Sequence, residues 1–205
     1  MRRVSGAFWD ERYSAPGYAY GSQPNDFLAE VAGSIPAGPV LCLAEGEGRN
    51  AVHLAGLGHA VTAVDVSRVG LDKAKSLARE RGVAIETVCA DLADFDIRPA
   101  AWSGIVSIWV HLDPALRARV HRACVAGLAP GGALVLEAYT PRQLARGTGG
   151  PTDALRLVTL EALRRELAGL DFEIARELER EVHEGRCHHG TSSVVQVLAR
   201  KPAAR

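Results

Sequence analysis

With 205 residues and 47% apolar content, the chain suits one domain with an ample core. Lysine plus arginine and aspartate plus glutamate each total 24, so no basic field invites nucleic acid or an anionic membrane; aromatics at 5% argue against a platform for stacking single strands. No segment has the apolar length to span a bilayer, the first residues lack a signal-peptide run, and the four cysteines have no CxxC spacing, so a reduced, cytoplasmic chain is expected.

Residues 6–20 hold Phe8, Trp9, Tyr13, Tyr18 and Tyr20, five of the eleven aromatic residues. An amphipathic piece follows over Asn25–Ala32, with Phe27, Leu28 and Val31 on one face and Asn25 as N-cap. These pieces make an N-terminal cap over 1–35. Gly33, Pro36, Gly38 and Pro39 break the chain before a first apolar strand at Val40–Leu43. A turn through Gly46 and Gly48 then enters a helical pattern that Gly58 stops. The second strand, Ala60–Val64, ends on Asp65, and Ser67 caps a helix through Arg81. A third strand, Ala84–Ala90, ends on Asp91-Leu92, and a fourth, Gly104–Val110, ends near His111. Pro114 opens a helix to Leu128, and Pro130-Gly131-Gly132 turns into a fifth strand, Ala133–Ala138.

Strand and helix alternate to this point, which predicts a doubly wound α/β fold with a parallel sheet and right-handed crossovers. The segment after it is long and rich in glycine and proline, and 139–158 reads as an active-site lid. A helix over Leu160–Ala168 leads to two β-like runs, Phe172–His183 and Ser192–Lys201, which a short turn joins into an antiparallel hairpin. With no repeat or linker, residues 1–205 form a single domain.

Strand, glycine turn and helix together aim backbone N–H groups and a helix N-terminus at a ligand. Asp65 falls 17 residues past Gly48, near the spacing at which a carboxylate takes a ribose hydroxyl pair. A nucleoside cofactor at the head of the sheet is the organising expectation. The glycine turn alone also suits a nicotinamide dinucleotide, whereas a dinucleotide reader has no special need of Asp91-Leu92 or a closing hairpin.

The order of elements, with Phe8-Trp9-Asp10-x-Arg12-Tyr13, Gly46-x-Gly48-Arg49-Asn50, His111-Leu112-x-Pro114, Leu128-x-Pro130-Gly131-Gly132 and Gln196, resembles the class I S-adenosylmethionine-dependent methyltransferases. The similarity runs from Phe8 to Pro202 and is closest to a small-molecule branch of tellurite-resistance and thiol or thiopurine methyltransferases. It implies a Rossmann-like, mostly parallel seven-stranded sheet ending in an antiparallel hairpin. It also implies S-adenosylmethionine as cofactor, S-adenosylhomocysteine as product and a small-molecule acceptor, in a monomer or homodimer. On that resemblance Gly46 and Gly48, flanked by Ala44, Glu45 and Asn50, lie against the methionine portion. Asp65 takes the ribose with Val66 beside it, Asp91 takes the adenine amino group with Leu92 near the ring, and carbonyls around Ile108 and Trp109 face the ammonium and sulfonium. The chain departs from the family pattern where Cys42 replaces an acid and Ala44 a glycine; Glu45 and Glu47 are then the acids available to the ammonium. No metal site is expected.

In an open parallel sheet ligands bind beyond the carboxyl ends of the strands. That edge carries Trp109, His111, Tyr139, Thr140 and the lid, and also Glu184–Gly190 if Phe172–His183 runs parallel to the rest. His111 is either a helix-entry residue or a base, and His188 or His189 orients the acceptor while Arg142 or Arg186 steadies its charge. The amides of Gly147–Gly150, with Arg142 and Arg146, suit an oxyanion. Tyr18 and Tyr20 are expected on the cofactor side, because a sulfonium is drawn to ring faces, and Phe8 on the structural side. A soft acceptor such as a thiol, selenium or tellurium species needs little base. The competing readings are a nicotinamide-dependent oxidoreductase and a non-catalytic S-adenosylmethionine-binding protein.

Overall fold

The computed structural model describes residues 6–203. Residues 1–5 of the expected cap, and the last two residues of the domain, lie outside the described residues. Among the described residues no helix is long and apolar enough to cross a membrane. Helix α1 (Gly6–Ser14) and α2 (Asp26–Val31) precede β1 (Pro39–Leu43), α3 (Arg49–Gly56), β2 (Ala60–Asp65), α4 (Arg68–Glu80) and β3 (Glu86–Cys89). Then come β4 (Trp102–Ile108), α5 (Pro114–Gly127), β5 (Leu128–Tyr139), α6 (Leu160–Glu166), β6 (Asp171–Glu184) and β7 (His188–Arg200). The seven strands lie in the order β3-β2-β1-β4-β5-β7-β6. Pairing is parallel from β3 to β5, whereas β7 is antiparallel to both β5 and β6, so β6 runs with the first five. The hairpin turn therefore lies at the carboxyl edge, with the ends of β1, β2, β4 and β5.

Strand alternation feeds two cores. Leu41, Leu43, Val64, Ile105, Leu134 and Leu136 face α5 and α6 and pack with Val120, Cys124, Leu163 and Leu167. Val40, Cys42, Val61, Ala63, Val106 and Val135 face the other way and pack with Phe27, Leu28 and Val31 of α2, Leu54 of α3 and Leu71 of α4. Each fully buried leucine stabilises the fold by about 1.5–3 kcal/mol relative to exposure. Helix starts follow their caps: Asn25 accepts from Leu28 N–H and Ser67 from Gly70 N–H.

Several boundaries differ from the sequence reading. Strand β5 begins at Leu128 rather than Ala133, because the Pro130-Gly131-Gly132 turn is an irregularity inside the ladder, where the register with β4 shifts between Trp102 and Gly104. The hairpin strands are longer than expected, and β7 takes in His188-His189-Gly190. Cys89, inside the apolar third-strand run, is exposed because β3 is the sheet's edge strand. The 139–158 segment holds two 3-10 turns, Pro141–Ala145 and Ala154–Arg156, and is tied down by Gln143, which donates to Thr148 and Gly149 O and accepts from Ser193 N–H.

Candidate active site

A cavity of about 590 Å³ opens at the carboxyl edge of the sheet. Its floor comes from the ends of β1, β2, β3 and β4: Ala44 and Glu45, Asp65 and Val66, Asp91 and Leu92, Ile108 and Trp109. These are the positions expected to hold a nucleoside, and the fold brings them together. Asp65 is buried and accepts from Gly46 N–H at 2.8 Å and Ser67 N–H at 2.7 Å. Burial raises its carboxyl above the usual range against the pull of those donors. Asp91 accepts from Ala93 N–H at 2.8 Å.

The two glycines shape the turn without lining the cavity. Gly46 has φ 61°, and a Cβ there would stand 2.6 Å from the Tyr13 hydroxyl. Gly48 has φ 90°, and its Cβ would lie 2.5 Å from that of Ala74. Both are thus demanded by a left-handed backbone and by close packing of the turn under α1 and against α4. Ala44 occupies a left-handed conformation too, with φ 46°, without glycine's freedom. Glu45 Oε1 accepts from Asn50 and Ala51 N–H at 2.9 and 2.8 Å, satisfying the start of α3. Burial raises Glu45 to about 7 despite those bonds. Glu47 accepts from Ala19 N–H at 2.6 Å and pairs with Lys73 at 3.0 Å. Asn50 also lines the cavity, and its Oδ1 accepts from Asn25 N–H.

On the side away from this floor the cavity is walled by Tyr20, His111, Leu112, Gly149–Asp153, Arg156, Cys187 and His188. Trp109 has φ 58°, a strained conformation for a bulky residue. It is held there by stacking on Tyr139 with centroids 4.3 Å apart and by its indole N–H, which donates to Glu184 at 2.5 Å. His111 is committed at both ring nitrogens: Nε2 accepts from Tyr139 N–H at 3.1 Å, which leaves Nδ1 to donate to Trp109 O at 3.0 Å. Burial and neighbouring His188 lower His111 to about 3. Of the two expected roles, helix-entry residue or base, this geometry favours a structural one: His111 joins the ends of β4 and β5.

His188 enters the cavity, 6% exposed, with its ring 4.7 Å from Tyr20 and 5.1 Å from Trp109. Burial lowers its pKa in spite of Glu184, whose carboxylate lies 3.9 Å from Nδ1. Nδ1 itself has no hydrogen-bond partner. Of the other acceptor-side candidates, Arg142, Arg186 and His189 are exposed and none lines the cavity. Successive strand residues face opposite sides, so with His188 pointing inward His189 points out, against His183. Arg186 reaches Pro16 O and Arg12 O. Arg146, assigned to an oxyanion, is paired with Glu179. The aromatic roles are partly reversed. Phe8 lines the cavity, whereas Tyr18 lies outside it, packed with Val52, Leu77 and Ala78. Tyr20 lines it as expected.

Glu184 is the residue sequence reasoning missed. It is buried and accepts from Arg49 and Trp109 at 2.5 Å each, from Asn25 at 2.8 Å and from Arg180 at 3.2 Å. Burial acts to raise its pKa, but His188, Arg49 and Trp109 together hold it well below the usual carboxylate range. It was placed at the edge of the turn, and the only local signal was an acid ending an apolar-alternating strand.

Residues 40–132 match a family model described as a methyltransferase domain. No curated protein matches the sequence. Among solved structures, the chain is similar to TehB from Haemophilus influenzae at 19% identity and a TM-score of 0.72, covering 96% of this chain and 66% of that one. An S-adenosylmethionine-dependent methyltransferase from Methanosarcina mazei shows 16% identity and a TM-score of 0.69, over 85% and 98%. A protein solved in connection with the conversion of a disulfide bond into a thioacetal group in echinomycin biosynthesis shows 18% identity and a TM-score of 0.76, over 98% and 91%. These likenesses carry the fold. The family match is to a methyltransferase domain over residues 40–132, the enzyme class whose cofactor is S-adenosylmethionine and whose product is S-adenosylhomocysteine.

Proposed function

We propose that this methyltransferase domain passes the methyl group of S-adenosylmethionine to a small molecule whose attacking atom is soft: a thiol, selenium or tellurium species. The supporting observation is the state of the two histidines at the acceptor side. His111 has both nitrogens engaged, and His188 is buried against the Tyr20, Trp109 and Tyr139 rings with Nδ1 unpartnered. A hydroxyl or amine needs a positioned base as it attacks, whereas a soft, readily ionised nucleophile does not. When bound, the cofactor supplies a methyl already made electrophilic by its sulfonium. The chain then contributes alignment and exclusion of water.

In this reading Asp65 holds the ribose and Asp91 the adenine amino group, with Val66 and Leu92 against the adenosine. A carboxylate offers about four acceptor sites, so the two backbone donors already on Asp65 leave room for a ligand hydroxyl. Glu45 takes the methionine ammonium, Ala44, Gly46, Gly48 and Asn50 form the turn around that end, and backbone carbonyls at Ile108 and Trp109 face the sulfonium. The Tyr20 ring attracts the positive sulfur. His188 orients the acceptor, and the 139–158 segment, pinned by the Arg156–Asp113 pair at 3.1 Å, covers it.

The test is S-adenosylhomocysteine release over thiols, selenium and tellurium oxyanions with a reductant, phenols and amines. Turnover is expected with the soft acceptors; turnover confined to phenols or amines overturns the reading. His188→Gln is expected to raise the acceptor KM about tenfold, the scale of one lost hydrogen bond, with cofactor affinity retained. His111→Phe is expected to cost about 1–3 kcal/mol of stability through orphaned backbone groups, read by chemical denaturation, without shifting the pH–rate profile.

A further inference from the structure

Three guanidinium groups line the cavity, those of Arg12, Arg49 and Arg156. Arg49 is paired with Glu184, and Arg156 with Asp113. Arg12, in the last turn of α1, has no carboxylate within ion-pair distance among the described residues. Its Nη1 donates to the Tyr20 hydroxyl at 3.1 Å, and its Cζ stands 5.0 Å from the Phe8 ring centroid and 5.5 Å from that of Trp9. The side chain is thereby held over two aromatic faces and against a phenol, with the remaining N–H donors of its fork unspent on any acid. All four of these residues border the same cavity. The acids of the floor, Glu45, Asp65 and Asp91, lie on the β-strand ends. The cavity is therefore polarised, with carboxylates along the strand ends and one preorganised, uncompensated cation on α1.

We infer that Arg12 is the carboxylate anchor of this cavity, taking a carboxylate of a bound small molecule into its guanidinium fork, with Tyr20 fixing the fork's orientation. Guanidinium and carboxylate match as planar, two-pronged partners, and such charge-assisted bonds are the strong ones. The carboxylate has two sources: the amino-acid end of the cofactor, or an acceptor that carries an acid beside its nucleophile. The inference rests on the cofactor reading but not on the nature of the acceptor atom.

Binding alone tests it. Wild type, Arg12→Gln and Arg12→Lys are titrated calorimetrically with S-adenosylhomocysteine and with 5′-methylthioadenosine, which lacks the amino-acid end. The S-adenosylhomocysteine complexes are then titrated with 3-(methylthio)propanoate and with its neutral amide. If the cofactor's carboxylate is the one held, Arg12→Gln weakens S-adenosylhomocysteine by about tenfold or more and leaves methylthioadenosine unchanged, with Arg12→Lys between. If the acceptor's is held, both nucleosides bind as in wild type and only the propanoate is weakened, relative to its amide. Equal loss for both members of each pair, or no loss in either, overturns the assignment. A wild-type protein that binds neither nucleoside overturns the cofactor reading itself, and this inference with it. Thermal melts confirm that the variants are folded, as expected for a substitution on the exposed face of α1.

Discussion

Glu45 shows how one buried acid couples stability to pH. Its carboxyl titrates near 7 in the fold, against 4.5 as the ordinary value. The unfolded chain therefore gives up this proton first, and the fold loses stability as pH rises from 4.5 through 7, by up to about 3 kcal/mol. Above 7 both states are ionised and the effect is flat. Glu45→Gln removes this slope, so wild type is expected to melt progressively lower relative to the variant between pH 5 and about 7.5. Parallel melting curves across that range would show that Glu45 ionises normally. Legibility at this scale followed distance along the chain. Asp65 and Asp91 could be read because each closes a strand, a local pattern. Glu184 could not, because its meaning comes from Arg49, 135 residues away. His111 was visible as a histidine in the right place, but its engagement at both nitrogens depends on Tyr139 N–H, 28 residues on.

At the scale of elements, the alternation of strands and helices was legible because a buried parallel strand reads as an apolar run and a packed helix as a 3.6-residue stripe. The hairpin also followed from its pattern, and its parallel β6 puts the 184–190 turn at the ligand edge. The orientation of the aromatic cap was not legible. Phe8 and Tyr18 are both exposed or half-buried, and which of them meets the cavity depends on how α1 lies across α4. The glycine turn was correctly located, but its reason lies in packing. Gly48→Ala brings a Cβ to 2.5 Å from Ala74 Cβ in a backbone with φ 90°. The expected cost is about 2–4 kcal/mol, from overpacking plus left-handed strain. Ala74→Gly in the same chain removes the methyl it strikes and is expected to return the overpacking part, leaving the strain and the helix penalty of glycine. Urea denaturation of the two single variants and the double measures this. An unrelieved double variant would show that α4 does not press on the turn.

Taken whole, the molecule is one continuous sheet with a buried polar cluster where its parallel strands meet the hairpin. Glu137, fully buried on β5, accepts from Arg180 on β6, Gln196 on β7 and Asn25 before α2. Glu184 continues the cluster to Arg49 on α3 and Trp109 after β4. Two carboxylates and two guanidinium groups thus tie the hairpin, the cap, the glycine-turn helix and the cavity's strained tryptophan into one unit. A buried ion pair is poor evidence of net stability against an apolar replacement, but removing one partner leaves a charge without compensation. Arg180→Met strands Glu137 and part of Glu184, and is expected to cost about 3–5 kcal/mol. Combining it with Glu137→Gln removes the stranded charge, so the double variant should lose less than the sum of the singles, by about 1–3 kcal/mol of coupling. The cluster touches both α3 and Trp109, so Arg180→Met should also weaken S-adenosylhomocysteine binding, although Arg180 does not line the cavity. Guanidinium chloride denaturation reads the first two effects and calorimetry the third. Additive losses with unchanged binding would mean that the hairpin and the cofactor floor are neighbours without being coupled, since only a shared charge network makes a residue on β6 felt at the start of α3.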